Sequence, residues 1–104
     1  MKLTNEQIWQ TNLALAKIGS ADMSAKLAFK LYKIKKKFQG EATIIRQSLK
    51  GKEEDDNQIN EVFEIENEID IEKIKASELE ELKLSMQDVF YLEAIIDFKE
   101  EENE

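Results

Sequence analysis

The sequence predicts a mainly helical α+β fold, and three observations carry that prediction. Apolar residues recur at Leu27, Leu31, Ile34, Phe38, Ala42, Ile45 and Leu49, in steps of three and four. That spacing puts them on one face of a 3.6-residue helix. The chain of 104 residues has no proline, so none interrupts a long helix. After Glu68 the period changes. Ile69 and Ile71 alternate with Asp70 and Glu72, the two-residue repeat of a half-buried strand. The expected architecture is an N-terminal antiparallel helical hairpin. It packs on a C-terminal unit with a short hairpin or extended segment and a final helix. A chain this short supports one small domain. Its expected parts are a basic helical hairpin (1–50), an acidic linker (51–58), an acidic α+β part (59–98) and a frayed tail (99–104).

The first helix is expected over residues 5–18. Thr4 and Gln7 fit a capping box, in which hydroxyl and side-chain amide each satisfy an open backbone donor. Leu3 and Ile8 occupy the two positions of a hydrophobic staple. Ile8, Leu15 and Ile18 share a face, with Trp9, Leu13 and Ala16 beside it. Gly19 suits a left-handed helix end, and Ser20 suits the cap of the next helix. So short a connection makes the two helices antiparallel neighbours. The second helix is expected over residues 21–49, with Gly40 inside it as a weak point, a bend or a close contact.

The pattern stops at Lys50-Gly51-Lys52, and Glu53-Glu54-Asp55-Asp56-Asn57 reads as a mobile polar linker. Ile59, Val62 and Phe63 fit a short third helix within residues 58–68. The strand at Ile69 and Ile71 is expected to pair with a second at Lys83-Leu84. Between them Ser77 and Glu80 suggest a capping box opening one helical turn. Ser85 with Asp88, and Leu84 with Val89, announce a last helix over residues 86–97. Its Val89, Phe90, Leu92, Ile95 and Ile96 make it the most apolar helix, expected to pack on more than one side.

Composition narrows the chemistry. Cysteine and histidine are both absent, which removes thiolate sites, the commonest general base and the commonest metal ligand. No Gly-rich phosphate loop or dinucleotide fingerprint occurs. Asp55 and Asn57 match the start of a calcium loop, but Asn60 stands where glycine is needed and Ile59 where an oxygen ligand is usual. No enzyme activity, metal or cofactor is expected. No apolar run approaches the ~20 residues of a membrane span, and the opening residues lack the apolar core of a signal peptide. A cytoplasmic protein is expected.

The net charge of -8 is unevenly divided. Residues 1–50 carry ten basic and three acidic residues (+7). Residues 51–104 carry five and twenty (-15). Lys26, Lys30, Lys33 and Lys37 form a basic stripe on the long helix, widened by Lys35 and Lys36. The stripe either contacts a partner or answers the acidic half of the same chain. Direct nucleic-acid binding is disfavoured by the acidic total and by the lack of a recognised motif. Glu61, Glu64, Glu68 and Glu72 are the leading candidates for mimicry of a phosphate backbone, with Glu78, Glu80 and Glu81 supplying further charge and ordinary solubility as the plainer reading. Trp9, Phe29 and Tyr32 are candidate interface anchors. Of these, Trp9 best suits the core and Phe29 falls off the main apolar stripe.

Three stretches carry a resemblance. They are the opening residues 1–18, the segment Ala25-Lys26-Leu27-Ala28-Phe29-Lys30-Leu31, and the run Ile69-Asp70-Ile71-Glu72-Lys73-Ile74-Lys75-Ala76-Ser77-Glu78-Leu79 followed by Leu84-Ser85. Together they resemble a family of small uncharacterised proteins from phages and prophages of Gram-positive bacteria. The resemblance covers most of the chain, with residues 50–57 divergent or shortened, and brings no catalytic or ligand motif. It implies a small phage protein acting in the bacterial cytoplasm or during virion assembly. The expected function is a phage-encoded protein-binding module without enzyme activity. It would inhibit a host defence protein, as an anti-CRISPR does, with nucleic-acid mimicry as one mechanism. The alternative is a virion assembly or structural component. The expected partner is a host bacterial or phage protein, and the oligomeric state is left open.

Overall fold

A computed structural model of the chain describes residues 1–99. Residues 100–104 of the expected tail lie outside the described residues. Thr4 ends a short strand, Lys2–Thr4 (β1), and caps the helix Asn5–Ile18 (α1). Its hydroxyl accepts from the Gln7 amide at 3.1 Å, and Gln7 Oε1 accepts from the Thr4 amide at 2.9 Å. The capping box is therefore complete, and two donors left open by the first turn are satisfied. Leu3 and Ile8 are both buried beside it.

The connection to the second helix is longer than its sequence suggests. Gly19 keeps a right-handed conformation (φ -64°), not the left-handed one expected. The second helix is Ala25–Leu49 (α2), capped by Ser24 rather than Ser20. A distant residue accounts for the choice. The Ser24 amide donates to Glu81 Oε1 and its hydroxyl to Glu81 Oε2, while that hydroxyl accepts from the Leu27 amide at 3.2 Å. Ser20 has no such partner among the described hydrogen bonds.

The helices α1 and α2 are antiparallel. Trp9, early in α1, meets Arg46, late in α2, and Gly19 lies beside Lys35. The predicted stripe faces inward: Leu27, Leu31, Ile34, Phe38, Ala42 and Ile45 are all buried. Leu49 is half-buried at the end. Gly40 sits on the outer side, and a Cβ there would meet nothing within 4 Å. No contact among the described residues requires glycine at this position. Gly40→Ala is therefore expected to stabilise the fold by about 0.5–1 kcal/mol, measured as a raised urea midpoint at unchanged slope.

The third helix, Asp56–Glu64 (α3), begins inside the expected linker. The Asp55 carboxylate accepts from the Asn57 and Gln58 amides at 3.1 and 3.2 Å, so this acid serves as an N-cap. The next strand is Glu66–Glu68 (β2), earlier than predicted. It runs antiparallel to β1, with Lys2 opposite Glu68, Leu3 opposite Asn67 and Thr4 opposite Glu66. Ile69 is buried and Ile71 half-buried. Their alternation thus has two origins: Ile69 extends the β1–β2 pairing, exchanging backbone hydrogen bonds with Met1 at 2.8 and 3.1 Å, whereas Ile71 records burial alone.

A second two-stranded sheet pairs Ile74–Lys75 (β3) with Ile96–Asp97 (β4), in parallel. It replaces the expected pairing with Lys83-Leu84. A 3₁₀ helix, Ala76–Glu81, follows β3 directly. Glu78 Oε1 accepts from the Lys75 amide at 3.3 Å, a one-sided cap that lies two residues before the expected Ser77–Glu80 pair. The final helix, Met86–Leu92 (α4), starts as predicted. Asp88 donates its amide to the Ser85 hydroxyl at 3.0 Å, and the Ser85 amide donates to Asp88 Oδ2 at 3.1 Å. It ends early, because the chain tightens into a 3₁₀ turn at Glu93–Ile95 and then extends into β4. The expectation of burial on several sides is corrected as well. Met86 and Phe90 are 90% and 62% exposed, while Asp88 and Leu92 face inward.

The core joins these pieces around α1, which contacts α2, α3 and α4. Ile8, Leu27, Phe38, Ile45, Ile74, Leu92 and Ile95 are its most deeply buried large side chains. Thr11, also buried, donates its hydroxyl to the Tyr91 carbonyl at 3.0 Å, satisfying an acceptor near the end of α4. The fold is thus a mainly helical α+β domain with a helical hairpin against a C-terminal unit.

Candidate interaction surface

The basic stripe divides into two sets. Lys30 Nζ lies 2.7 Å from Glu78 Oε2, and both side chains are largely covered. Lys37 Nζ donates to the Asp70 carbonyl. Lys30 thus pairs with a carboxylate of the acidic half, while Lys37, itself exposed, meets a backbone carbonyl there. Lys26 and Lys33 stay exposed. Lys30 lowers the pKa of the Glu78 carboxyl, first through that hydrogen bond, with the Lys75 amide adding to it. Glu78 in turn raises the pKa of the Lys30 ammonium.

Between α2 and the segment at Ile71 lies an open cleft of about 540 Å³. Lys30, Lys33, Lys36 and Lys37 line it, over Ile34 and Ile71, with Glu72 on the far wall. The four acidic candidates are therefore dispersed. Glu72 sits among lysines. Glu61 and Glu64 are exposed on α3. Glu68 lies on β2, 3.4 Å from the Met1 ammonium.

The aromatic candidates separate just as clearly. Trp9 meets Phe63 edge-on, with ring centroids 6.2 Å apart, and the Arg46 guanidinium lies 5.6 Å from its ring centre. It joins α1, α2 and α3 and is committed to the fold. Phe29 is 71% exposed and Tyr32 53%. Their three-residue spacing keeps them on one side of α2. The Lys36 ammonium lies 5.7 Å from the Tyr32 ring centre, within cation–π range. On the α1 side of this ridge a second groove of about 370 Å³ is floored by Leu15, Ile18, Met23 and Leu31. Tyr32, Lys35 and Lys36 stand at its edge.

Sequence reasoning missed Met23 in this groove, because it falls in the connection and belongs to no periodic pattern. It also missed Asp88 as an ion-pair partner. Lys17 Nζ lies 2.9 Å from Asp88 Oδ1, and the Asp88 side chain is buried. Lys17 and then the Ser85 amide hold the Asp88 carboxyl below its ordinary pKa. Asp88 and Glu78 therefore bind protons less readily folded than unfolded. Their stabilisation is complete above the ordinary carboxyl range near pH ~4 and is lost as pH falls through their depressed native values. Lys30 contributes with the opposite sense: its share is complete below the usual lysine value of ~10.4 and fades as pH rises through its raised one. Asp88→Asn keeps an oxygen for the cap and removes the charge. Its urea midpoint is expected to vary less with pH on the acid side than that of the wild type. An equally steep acid limb would remove Asp88 from this account.

Among the described residues no group of three or more acidic side chains is placed to hold a metal ion. No described helix is long and apolar enough to cross a membrane. No protein family, curated protein or solved structure matches the chain.

Proposed function

We propose that this chain is a protein-binding module without enzyme activity, encoded by a phage, that engages a protein of the host bacterium through the outer face of α2. One observation carries the reading: Phe29 and Tyr32 stand exposed together, beside Lys33 and Lys36, on a helix whose opposite face is fully used by the core. Exposed aromatics are common anchors of protein interfaces, and lysines beside them steer an oppositely charged partner. The resemblance to small phage proteins supports the phage setting, and inhibition of a host defence protein is the role that suits a binder made during infection. Trp9, Lys30 and Lys37 drop out of the proposed interface, since each is engaged within the fold. So does Glu72, which faces the lysine cleft. Nucleic-acid mimicry then rests on Glu61, Glu64 and Glu68.

The test compares capture of host proteins by the wild type and by the Phe29→Ala/Tyr32→Ala variant. A host protein held by the wild type, lost with the double variant, and inhibited in its own activity by added wild type is the expected result. Neutralising Glu61, Glu64 and Glu68 abolishes the capture if mimicry is the mechanism. A partner present only in infected cells and incorporated into virions would instead favour the assembly role. Capture undiminished in the double variant would remove α2 as the interface.

A further inference from the structure

The two depressions beside the α2 ridge differ in chemistry, and together they describe what would lie across it. The groove on the α1 side has an apolar floor, and every ionisable side chain along its lining is Tyr32, Lys35 or Lys36. The cleft on the other side sets four lysines against Glu72 alone. Lys30 and Lys37 are already bonded to Glu78 and the Asp70 carbonyl. Lys33 has no ion-pair partner among the described residues. Lys36 lines both depressions and, through its contact with the Tyr32 ring, stands on the ridge between them.

We infer that this ridge accepts an acidic segment of the partner protein, with an apolar side chain seated against Met23, Ala28 and Tyr32, above the buried Leu15, Ile18 and Leu31, and flanking carboxylates paired with Lys33, Lys35 and Lys36. The inference rests on reading α2 as a protein interface and names the chemistry of the partner. Charge complementarity argues for it, because cations beside an apolar floor favour a chain that supplies both carboxylates and an anchor. The apolar floor distinguishes this occupant from nucleic acid. A phosphate backbone satisfies the lysines and leaves the floor uncovered, and the chain's net charge of -8 opposes a polyanion at long range.

The probe is a blocked hexapeptide, Glu-Asp-Leu-Phe-Asp-Glu, titrated into the isotope-labelled full-length chain and followed by amide NMR shifts. Saturable shifts are expected at Ile18, Gly19, Leu31, Tyr32 and Lys35. The dissociation constant should rise at least about tenfold in Lys35→Glu/Lys36→Glu, whose unchanged remaining spectrum shows that it folds. Lys35→Gln/Lys36→Gln should fall between the two. A peptide with glycine in place of both apolar residues, and one with lysine in place of all four acids, should bind at least about tenfold more weakly. Four results would overturn the inference: no saturable shift at millimolar peptide, equal binding of the glycine peptide, equal binding of a short single-stranded DNA, or self-association of the chain that shifts these same residues. If a captured host protein is lost with Phe29→Ala/Tyr32→Ala but kept with Lys35→Glu/Lys36→Glu, the interface stands and the acidic segment falls. If Phe29→Ala/Tyr32→Ala keeps the captured protein, the interface itself is wrong.

Discussion

Phe38→Ala is expected to destabilise the fold by about 3–5 kcal/mol, while Phe29→Ala changes stability by less than about 0.5 kcal/mol. The two residues share a side chain and a helix, and they differ in burial: 0% against 71% exposed. Removing the Phe38 ring leaves a cavity at the centre of the domain, where the surroundings relax only in part. Removing the Phe29 ring trims a side chain already in water. A small domain has about 5–15 kcal/mol of stability in all, so Phe38→Ala consumes a large share of it. Urea unfolding of both variants measures the difference directly. Equal costs would mean that the faces of α2 are assigned wrongly. The contrast also serves the test of the proposed interface, because Phe29 can be replaced without unfolding the chain.

Asn5→Ala is expected to cost about 1–3 kcal/mol, because it leaves buried polar groups without their partner. Asn5 is buried at the start of α1. Its Nδ2 donates to the Val62 carbonyl at 2.7 Å, and its Oδ1 accepts from Asn67 Nδ2 at 2.7 Å. Asn67 Nδ2 also reaches the Leu3 carbonyl at 3.3 Å, and the Asn5 amide donates to the Ile65 carbonyl at 2.9 Å. One side chain thus joins α1, the end of α3 and β2. Asn67→Ala alone should cost less, since Asn67 is only half-buried. In the double variant the two losses should not add, and a coupling of about 0.5–3 kcal/mol is expected. Strict additivity would show that the pair does not act as a unit.

What could be read from the sequence was what short-range chemistry decides. The Thr4–Gln7 and Ser85–Asp88 boxes are closed by residues three apart, and the α2 stripe is a matter of angle along one helix. The features that escaped depend on distant residues. Ser24 and Ser20 are equivalent by propensity, and Glu81 settles the choice. Both sheets were missed because their strands are two or three residues long and find their partners far along the chain. Such strands are too short to show a period. The alternation at Ile69 and Ile71 is real: Ile69 pairs with the Met1 backbone at the end of the β1–β2 ladder, and Ile71 records burial. The surface is legible to the same extent. The lysine stripe and the exposed position of Phe29 follow from helical spacing. Which lysines are consumed by Glu78 and Asp70 depends on how the C-terminal unit lies across α2.

The β1–β2 ladder closes a loop that runs from Thr4 to Glu66. The entropy of such closure grows with the logarithm of loop length. This loop costs about 1.6 kcal/mol more to close than a flexible ten-residue one. A three-residue ladder has little with which to offset that in an unfolded chain. The hairpin of α1 and α2 closes through a six-residue connection between Ile18 and Ala25, so it can assemble first and bring the two strand segments together. In that order β1 and β2 act as a late latch. The latch is narrow: three paired residues, the Met1–Ile69 bonds and the Asn5–Asn67 hydrogen bond, which joins residues 62 positions apart, hold it closed.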